Sequence, residues 1–360
     1  GAGIGTELFA TDGTAANTGL VKDVFPGPPS GRPTGMLACN GKVLFRAASP
    51  FGDEPFATDG TPAGTALIGD LEPAIGTRGS DPREFVQVAP DRFFFAAATL
   101  ANGDEPYFFD GATANLLDVV PGAGSSFPRD LTLVGDTLYF TASTTATGRE
   151  LFRVRPGEQP VLVQDLRPGS ASSSPSLLTA LGGRRLVMSA NNGSAGTEVC
   201  TAENGVPGIV VHDLRQGFSS SLPNQFQVMH DPATGLEVAV FAADDGVVGR
   251  ELFVTDGSTV TLGLDLEAGA AGSSPGQLAA NADGTAVLFT ATRGADTTVR
   301  RVTVAEANDT FLLSEEELAN LARSFLVRRL FEMVLANVPI RIALMRESGT
   351  PVVGDEMYEL

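Results

Sequence analysis

No tryptophan occurs in this chain, and cysteine and histidine occur twice each. Cys39 and Cys200 stand several units apart, which argues against a disulfide framework and for two small buried hydrophobes. There are no paired-cysteine motifs and no His-x-x-x-His spacing, so no transition-metal site is indicated. His212 lies in the apolar run Ile209-Val-Val-His-Asp213 and His230 beside Asp231-Pro232. Neither comes with a Gly-x-Ser-x-Gly elbow, so the pattern expects no catalytic residue. Positive charge is also scarce. Lys and Arg number 24 against 43 Asp and Glu, a net charge of -19, which opposes encounter with nucleic acid or an anionic membrane. No apolar run reaches the roughly 20 residues of a membrane-spanning helix, and Gly1 to Thr6 carry no signal-peptide pattern.

What the chain has in quantity is turn chemistry, with 42 Gly and 23 Pro, and it repeats. A signature appears as Gly5-Thr-Glu7-Leu-Phe-Ala-Thr-Asp12-Gly13, then at Gly52 to Gly60 and Gly103 to Gly111. It returns at Gly148-Arg-Glu150, Gly196-Thr-Glu198 and Gly249 to Gly257, and a seventh copy without the glutamate follows Gly294. The spacing, about 45 to 53 residues, is that of a solenoid or propeller. Each unit reads as four short strands. Leu131 to Val134 and Thr137 to Ala142, joined by Gly135-Asp136, give the first hairpin. The signature is the third strand, its Asp-Gly a tight turn, and Val161 to Asp165 a fourth strand. A crossover such as Asp165-Leu-Arg-Pro168-Gly169 follows, often continued by Ser-Ser and a proline, which cannot donate to a ladder.

Four strands with one longer crossover per unit predict an all-β fold, a β-propeller of six to seven four-stranded blades over residues 1–313. The ends do not match, because third and fourth strands are one pair in excess. Either the N-terminal pair completes a sixth blade, or the first of seven blades is incomplete. Thr298 to Leu313, read as a third and fourth strand, favours seven.

At these residues the sequence resembles the ELWxxDGT (hyalin-like) repeat family, whose motif runs Gly-Thr-Glu-Leu-Trp-x-x-Asp-Gly-Thr. The match at Gly5 to Thr14 is close, and the likeness covers roughly Gly5 to Leu313. Phe9, Phe56, Phe108 or its neighbour Tyr107, Phe152 and Phe253 stand where the family usually has tryptophan. The resemblance implies a propeller in a cell-surface, envelope or secreted protein, and no agreed catalytic activity.

Two sets of acids recur. Glu7, Glu54, Glu105, Glu150, Glu198 and Glu251 sit in the signature; Asp23, Asp70, Asp118, Asp165, Asp213 and Asp265 close the fourth strand. Rings of carboxylates can hold calcium, so the six aspartates are metal candidates, with calcium the only cofactor entertained. The competing reading is that they cap turns and loops, and recurrence in every unit favours it, since a frame needs every copy. Asn192-Gly-Ser194 and Asn308-Asp-Thr310 match the glycosylation sequon, which matters in a eukaryotic secretory host.

The pattern breaks at residues 314–360. Ser314-Glu-Glu-Glu317 is a capping box predicting a helix to Asn337, ended by Pro339, with Ile340 to Leu344 a strand. Leu318, Leu321, Ala322 and Phe325 line one face of that helix, and Val327, Leu330, Phe331 and Val334 another. Two apolar faces need two surfaces, so the second is the candidate partner-binding face, for a protein partner or a second copy. The overall expectation is a non-catalytic extracellular scaffold that binds protein or glycan, with loops such as Met229 to Glu237 and Ala74 to Arg83 as contacts. The alternatives are a subunit of a larger assembly held through the C-terminal helix, and a calcium-binding adhesin-like module.

Overall fold

The computed structural model describes residues 3–39, 41–73 and 78–308. They form an all-β fold of propeller type, built from seven antiparallel sheets in chain order. Two compact units are distinguished, Gly1–Asn224 with Asp244–Gly246, and Gln225–Ala243 with Val247–Leu360. Each is described by itself.

The first unit opens with β1 (Leu8–Ala10) and β2 (Gly19–Lys22), a two-stranded sheet. Next come β3 (Thr34–Cys39), β4 (Lys42–Ser49), β5 (Gly52–Thr58) and β6 (Ala66–Leu67), in that spatial order. β7 (Arg83–Ala89), β8 (Arg92–Thr99), β9 (Gly103–Phe109) and β10 (Ala114–Leu116) form the third sheet. β11 (Arg129–Val134), β12 (Thr137–Thr144), β13 (Gly148–Val154) and β14 (Val161–Gln164) form the fourth. β15 (Ser176–Leu181), β16 (Arg185–Asn191), β17 (Thr197–Glu203) and β18 (Val210–His212) form the fifth. Pairing is always to the next strand in sequence, the meander expected of a propeller blade. Second strands have neighbours on both faces and read as near-continuous apolar runs: Phe93, Phe94 and Phe95 are all buried. Consecutive sheets of this unit touch chiefly through their first strands, as β3 does β7, β7 does β11 and β11 does β15.

The aromatic that stands in for tryptophan packs across the second strand. Phe45 with Phe56, Phe95 with Tyr107 and Phe140 with Phe152 are stacked with ring centroids 5.8, 5.6 and 6.0 Å apart. Tyr107 rather than Phe108 is therefore the signature aromatic of the third sheet. The fifth sheet puts Met188 opposite Cys200 at this place, both buried and the cysteine free, as is buried Cys39. Phe9, in a sheet with no second strand, is 53% exposed.

The second unit carries β19 (Asn224–His230), β20 (Glu237–Asp244), β21 (Arg250–Thr255) and β22 (Val260–Leu264) as one sheet. β23 (Gly276–Ala280), β24 (Ala286–Arg293) and β25 (Asp296–Thr303) form a three-stranded one. Phe241 and Phe253 repeat the aromatic stack at 6.2 Å.

Among the described residues five of the seven sheets have four strands, the first having the two expected of an incomplete blade and the last three. Two expectations are corrected. No fourth strand follows β25 as far as residue 308, because the chain enters a helix, α1 (Val304–Asn308), and residues 309–313 of the predicted strand pair lie outside the described residues. Thr303 and Glu306 form a capping box there: Thr303 N donates to Glu306 Oε2 (2.7 Å) and Glu306 N to Thr303 Oγ1 (3.3 Å). The Asp-Gly turns are longer than two-residue hairpins, since Asp59-Gly60 begins a loop that runs from Thr58 to Ala66. The aspartate caps its loop through its side chain: Asp59 Oδ1 accepts from Thr61 N (2.9 Å) and Asp110 Oδ1 from Ala112 N (2.9 Å). The predicted C-terminal helix and strand, and Val327, Leu330, Phe331 and Val334, lie outside the described residues, as do residues 74–77 of one predicted contact loop.

Candidate functional site

The signature glutamates prove to be one device used six times. Each is buried at the start of the third strand and reaches across its own crossover loop, gripping it at both ends. Glu105 Oε2 accepts from Val119 N (3.1 Å) where the loop departs, and Oε1 from Ser126 N (2.8 Å) where it ends. Ser126 Oγ donates to Oε2 at 2.7 Å. Glu54 holds Leu71 N, Ser80 N and Ser80 Oγ at 3.3, 3.0 and 2.6 Å. Glu150 does the same to Leu166 and Ser173, Glu198 to Leu214 and Ser221, and Glu251 to Glu267 and Ser273. In the first sheet glycine replaces the serine, and Glu7 holds Val24 N (2.7 Å) and Gly31 N (2.5 Å). A buried carboxylate with three donors is compensated, each charge-assisted bond being worth about 1.5–3 kcal/mol.

The residues around each staple are as specialised. Where a serine precedes the stapling serine, it accepts from the residue after the signature glycine: Ser125 Oγ from Asp104 N (2.9 Å), Ser172 Oγ from Arg149 N (2.9 Å), Ser220 Oγ from Thr197 N (2.8 Å). The glycine itself has positive φ, +68° at Gly103, and a Cβ there would fall 1.8 Å from Gly124 O. The carbonyl of the stapling serine accepts from the next sheet, Ala98 N to Ser80 O (2.6 Å) and Ser143 N to Ser126 O (2.7 Å). The next residue is left-handed, at Arg32, Asp81, Phe127, Ser174, Leu222 and Ser274, and a proline follows every one. Its N–H pays for part of that strain by bonding back to the third strand, as Ser174 N does to Arg149 O (3.3 Å). The sequence shows Ser-Ser and a proline in these loops but not this division of labour, because it appears only once both ends of the loop are placed.

Each proposed metal aspartate sits in its own loop. Asp23 Oδ2 accepts from Gly27 N (3.1 Å), Asp165 Oδ2 from Gly169 N (3.0 Å) and Asp213 Oδ2 from Gly217 N (3.4 Å), a turn of Asp-x-x-x-Gly form closed by its own side chain, with Gln216 in the third loop where the other two have proline. Oδ1 of Asp23, Asp70, Asp118 and Asp165 is buried and accepts nothing from the protein. Calcium takes six to eight oxygens. Among the described residues no three carboxylates, histidines or cysteines converge on one point, and the nearby glutamate oxygens are committed to N–H and O–H donors. Asp265 belongs to the same set by position, in the second unit.

Burial sets the electrostatics of the staples. Desolvation pushes Glu54 up to about 6 and Glu105 to about 7, against donors from Ser80 and Ser126 that pull the other way; the nearby Asp70 and Asp118 add to the rise. Glu150, Glu198 and Glu251 are raised for the same first cause. The exposed turn aspartates go down: hydrogen bonds from Thr14 and Asn17 hold Asp12 at about 2, and those from Thr113 and Ala112 hold Asp110 there. His212 Nε2 lies 3.1 Å from Thr201 Oγ1, with donor and acceptor set by the tautomer, and His230 sits at the end of β19.

The loop surfaces carry what does not repeat. Phe218 in the fifth crossover is 85% exposed, and Phe127 and Leu222, on left-handed backbone, are 50% and 59% exposed.

No family profile matches the chain, and no curated protein matches it. Similar solved structures include one of two prolyl endopeptidases, at 10% identity and TM-score 0.46, covering 76% of this chain and 41% of that one. Oligopeptidase B from Leishmania major aligns at 12% identity and TM-score 0.43, over 75% of this chain and 39% of its own. A putative TolB from Agrobacterium tumefaciens aligns at 10% identity and TM-score 0.32, over 60% and 74%. The chain thus spans about two-fifths of the length of the two peptidases.

Proposed function

We propose that the chain is a non-catalytic propeller scaffold of the ELWxxDGT type, displayed at a cell surface or envelope, that binds a protein or glycan through its loops. The observation that supports this reading is the use of the signature glutamates. In all six units the buried carboxylate is spent on backbone and serine donors of its own crossover loop, so the recurring chemistry is framework. What differs from unit to unit is exposed, above all Phe127, Phe218 and Leu222. Exposed apolar side chains on loops of a rigid frame are what a binding surface needs.

The test is a glycan array probed with the purified full chain, repeated with Phe218→Ser and Phe127→Ser. Binding that falls at least about tenfold in the variants, at unchanged melting temperature, supports the reading. Binding that survives both substitutions, or none at all, counts against it. The assembly reading rests on the two apolar faces predicted from the sequence of the C-terminal segment. Light scattering on the full chain and on Leu330→Ser with Phe331→Asp separates it from simple binding, because only an assembly dissociates.

A further inference from the structure

The first and last sheets treat the signature differently. β1 keeps it whole, with Glu7 buried on its own loop and Phe9 at the place of the aromatic. β25 has lost both. Its register with β24 sets Thr298 opposite Ala291 and Arg300 opposite Phe289, the places that Glu54 and Phe56 hold opposite Ala47 and Phe45. A strand with Arg300 and Arg301 in an exposed run from Asp296 to Arg301 deters pairing. β1 offers the reverse, an edge that retains what a second strand packs against.

The four-stranded sheets of the first unit define that second strand. Alanine faces the signature glutamate in each, as Ala47 does Glu54, Ala97 Glu105, Ala142 Glu150 and Ala190 Glu198. Directly opposed residues have Cβ atoms only about 5 Å apart, so the small side chain leaves the carboxylate its room. Two residues earlier stands a large apolar side chain opposite the signature position. Phe45, Phe95 and Phe140 stack on Phe56, Tyr107 and Phe152, and Met188 faces Cys200.

β1 is already held in place for such a strand. Leu8, Val21 and Val24 share one core with Phe45, Ala47 and Phe56 of the second sheet. Thr6 O accepts from Arg32 N (3.0 Å), and Thr6 N donates to Ser30 Oγ (2.9 Å). A fixed edge has little ordering left to lose on binding. Phe9 is 53% exposed, whereas Phe56, Tyr107 and Phe152 are buried, and among the described residues no strand lies along the other edge of β1.

We propose that this edge of β1 binds an extended strand of a partner polypeptide reading aromatic-x-Ala, the aromatic on Phe9 and the alanine opposite Glu7. Backbone pairing attaches the strand, and the two side chains select it. The edge is separate from the exposed loops invoked above.

The probe is a fluorescein-labelled peptide of residues 129–144, the β11–β12 hairpin, which presents Phe140-Thr-Ala142. It carries one Arg against two Asp, so charge does not draw it to an acidic chain. Fluorescence anisotropy with the full chain is expected to show saturable binding, weakened at least about tenfold by Phe9→Ser. Because Phe9 is exposed, that variant should melt as the parent does. Should it be destabilised, peptide variants carry the test on the unaltered chain: Phe140→Ser should weaken binding as much, and Ala142→Glu should abolish it by setting a second carboxylate against Glu7. Amide exchange should slow at Leu8 to Ala10. No saturable binding, the result if residues 309–360 or a second copy already cover the edge, would overturn the proposal. So would equal binding of a scrambled peptide or of the Ala142→Glu peptide, or protection of β25 in place of β1.

Discussion

A glutamate buried on six occasions has to be reconciled with the cost of burying charge, and the staple shows how. Ser126 donates to an ionised Glu105, and the same hydroxyl can accept a hydrogen bond from a neutral one, so the contact survives titration. Only the two backbone donors then lose a charged acceptor. Glu54 and Glu105 bind protons in the folded chain up to about 6 and 7, whereas in the unfolded chain they release them near 4.5. Their contribution to stability is therefore complete below about 4.5 and is lost as pH rises through 6 to 7. Asp12 and Asp110, held at about 2, work in the other direction and lose theirs only in strong acid. The urea midpoint is expected to be higher at pH 5 than at pH 8. Glu105→Gln should reduce that difference. It should also lower the midpoint at both pH values, because an amide nitrogen now meets one of the former donors, at a cost of about 2–4 kcal/mol.

At the scale of the element, the strain is concentrated in the residue before each crossover proline. That position is left-handed in six units, yet none of the six residues is glycine. A left-handed non-glycine residue costs roughly 1–2 kcal/mol, and the following proline narrows its choices further. Ser174 is exposed and bonds through its backbone N–H, so its side chain offers little to lose. Ser174→Gly is expected to raise stability by about 0.5–1 kcal/mol, read as an increase in the urea midpoint. A decrease would mean that the hydroxyl carries a contact worth more than the strain. The strands themselves were legible in the sequence, since Gly135-Asp136 and the apolar second strands follow simple rules. The turn after Asp59 and the helix at Val304 were not. An Asp-Gly pair reads alike whether it closes a two-residue hairpin or caps a longer loop, and Thr303-Val-Ala-Glu306 is a capping box that strand periodicity concealed.

For the molecule as a whole, the repeat made the propeller class readable from the signature alone, whereas the surplus of third and fourth strands left two endings open, and β1 with β2 forms a sheet of its own. Phe9 is its physical marker, an aromatic whose stacking partner is absent. The recurring acids were read as caps of turns and loops, and the six buried glutamates hold their loops in that way. The remainder is surface charge of one sign, which opposes compaction. The melting temperature is expected to rise between about 10 mM and 300 mM sodium chloride as that repulsion is screened. A fall would mean that surface pairs such as Lys42–Asp91 outweigh it.

The serine carbonyl that reaches the following sheet has a last implication. Ala98 N to Ser80 O, Ser143 N to Ser126 O and Asn191 N to Ser173 O are the same joint, made by the same atoms. A duplicated or excised period would meet its neighbours through fittings already in place. Length can therefore change by whole modules without the inventing of a new seam, which gives evolution an inexpensive way to vary such chains.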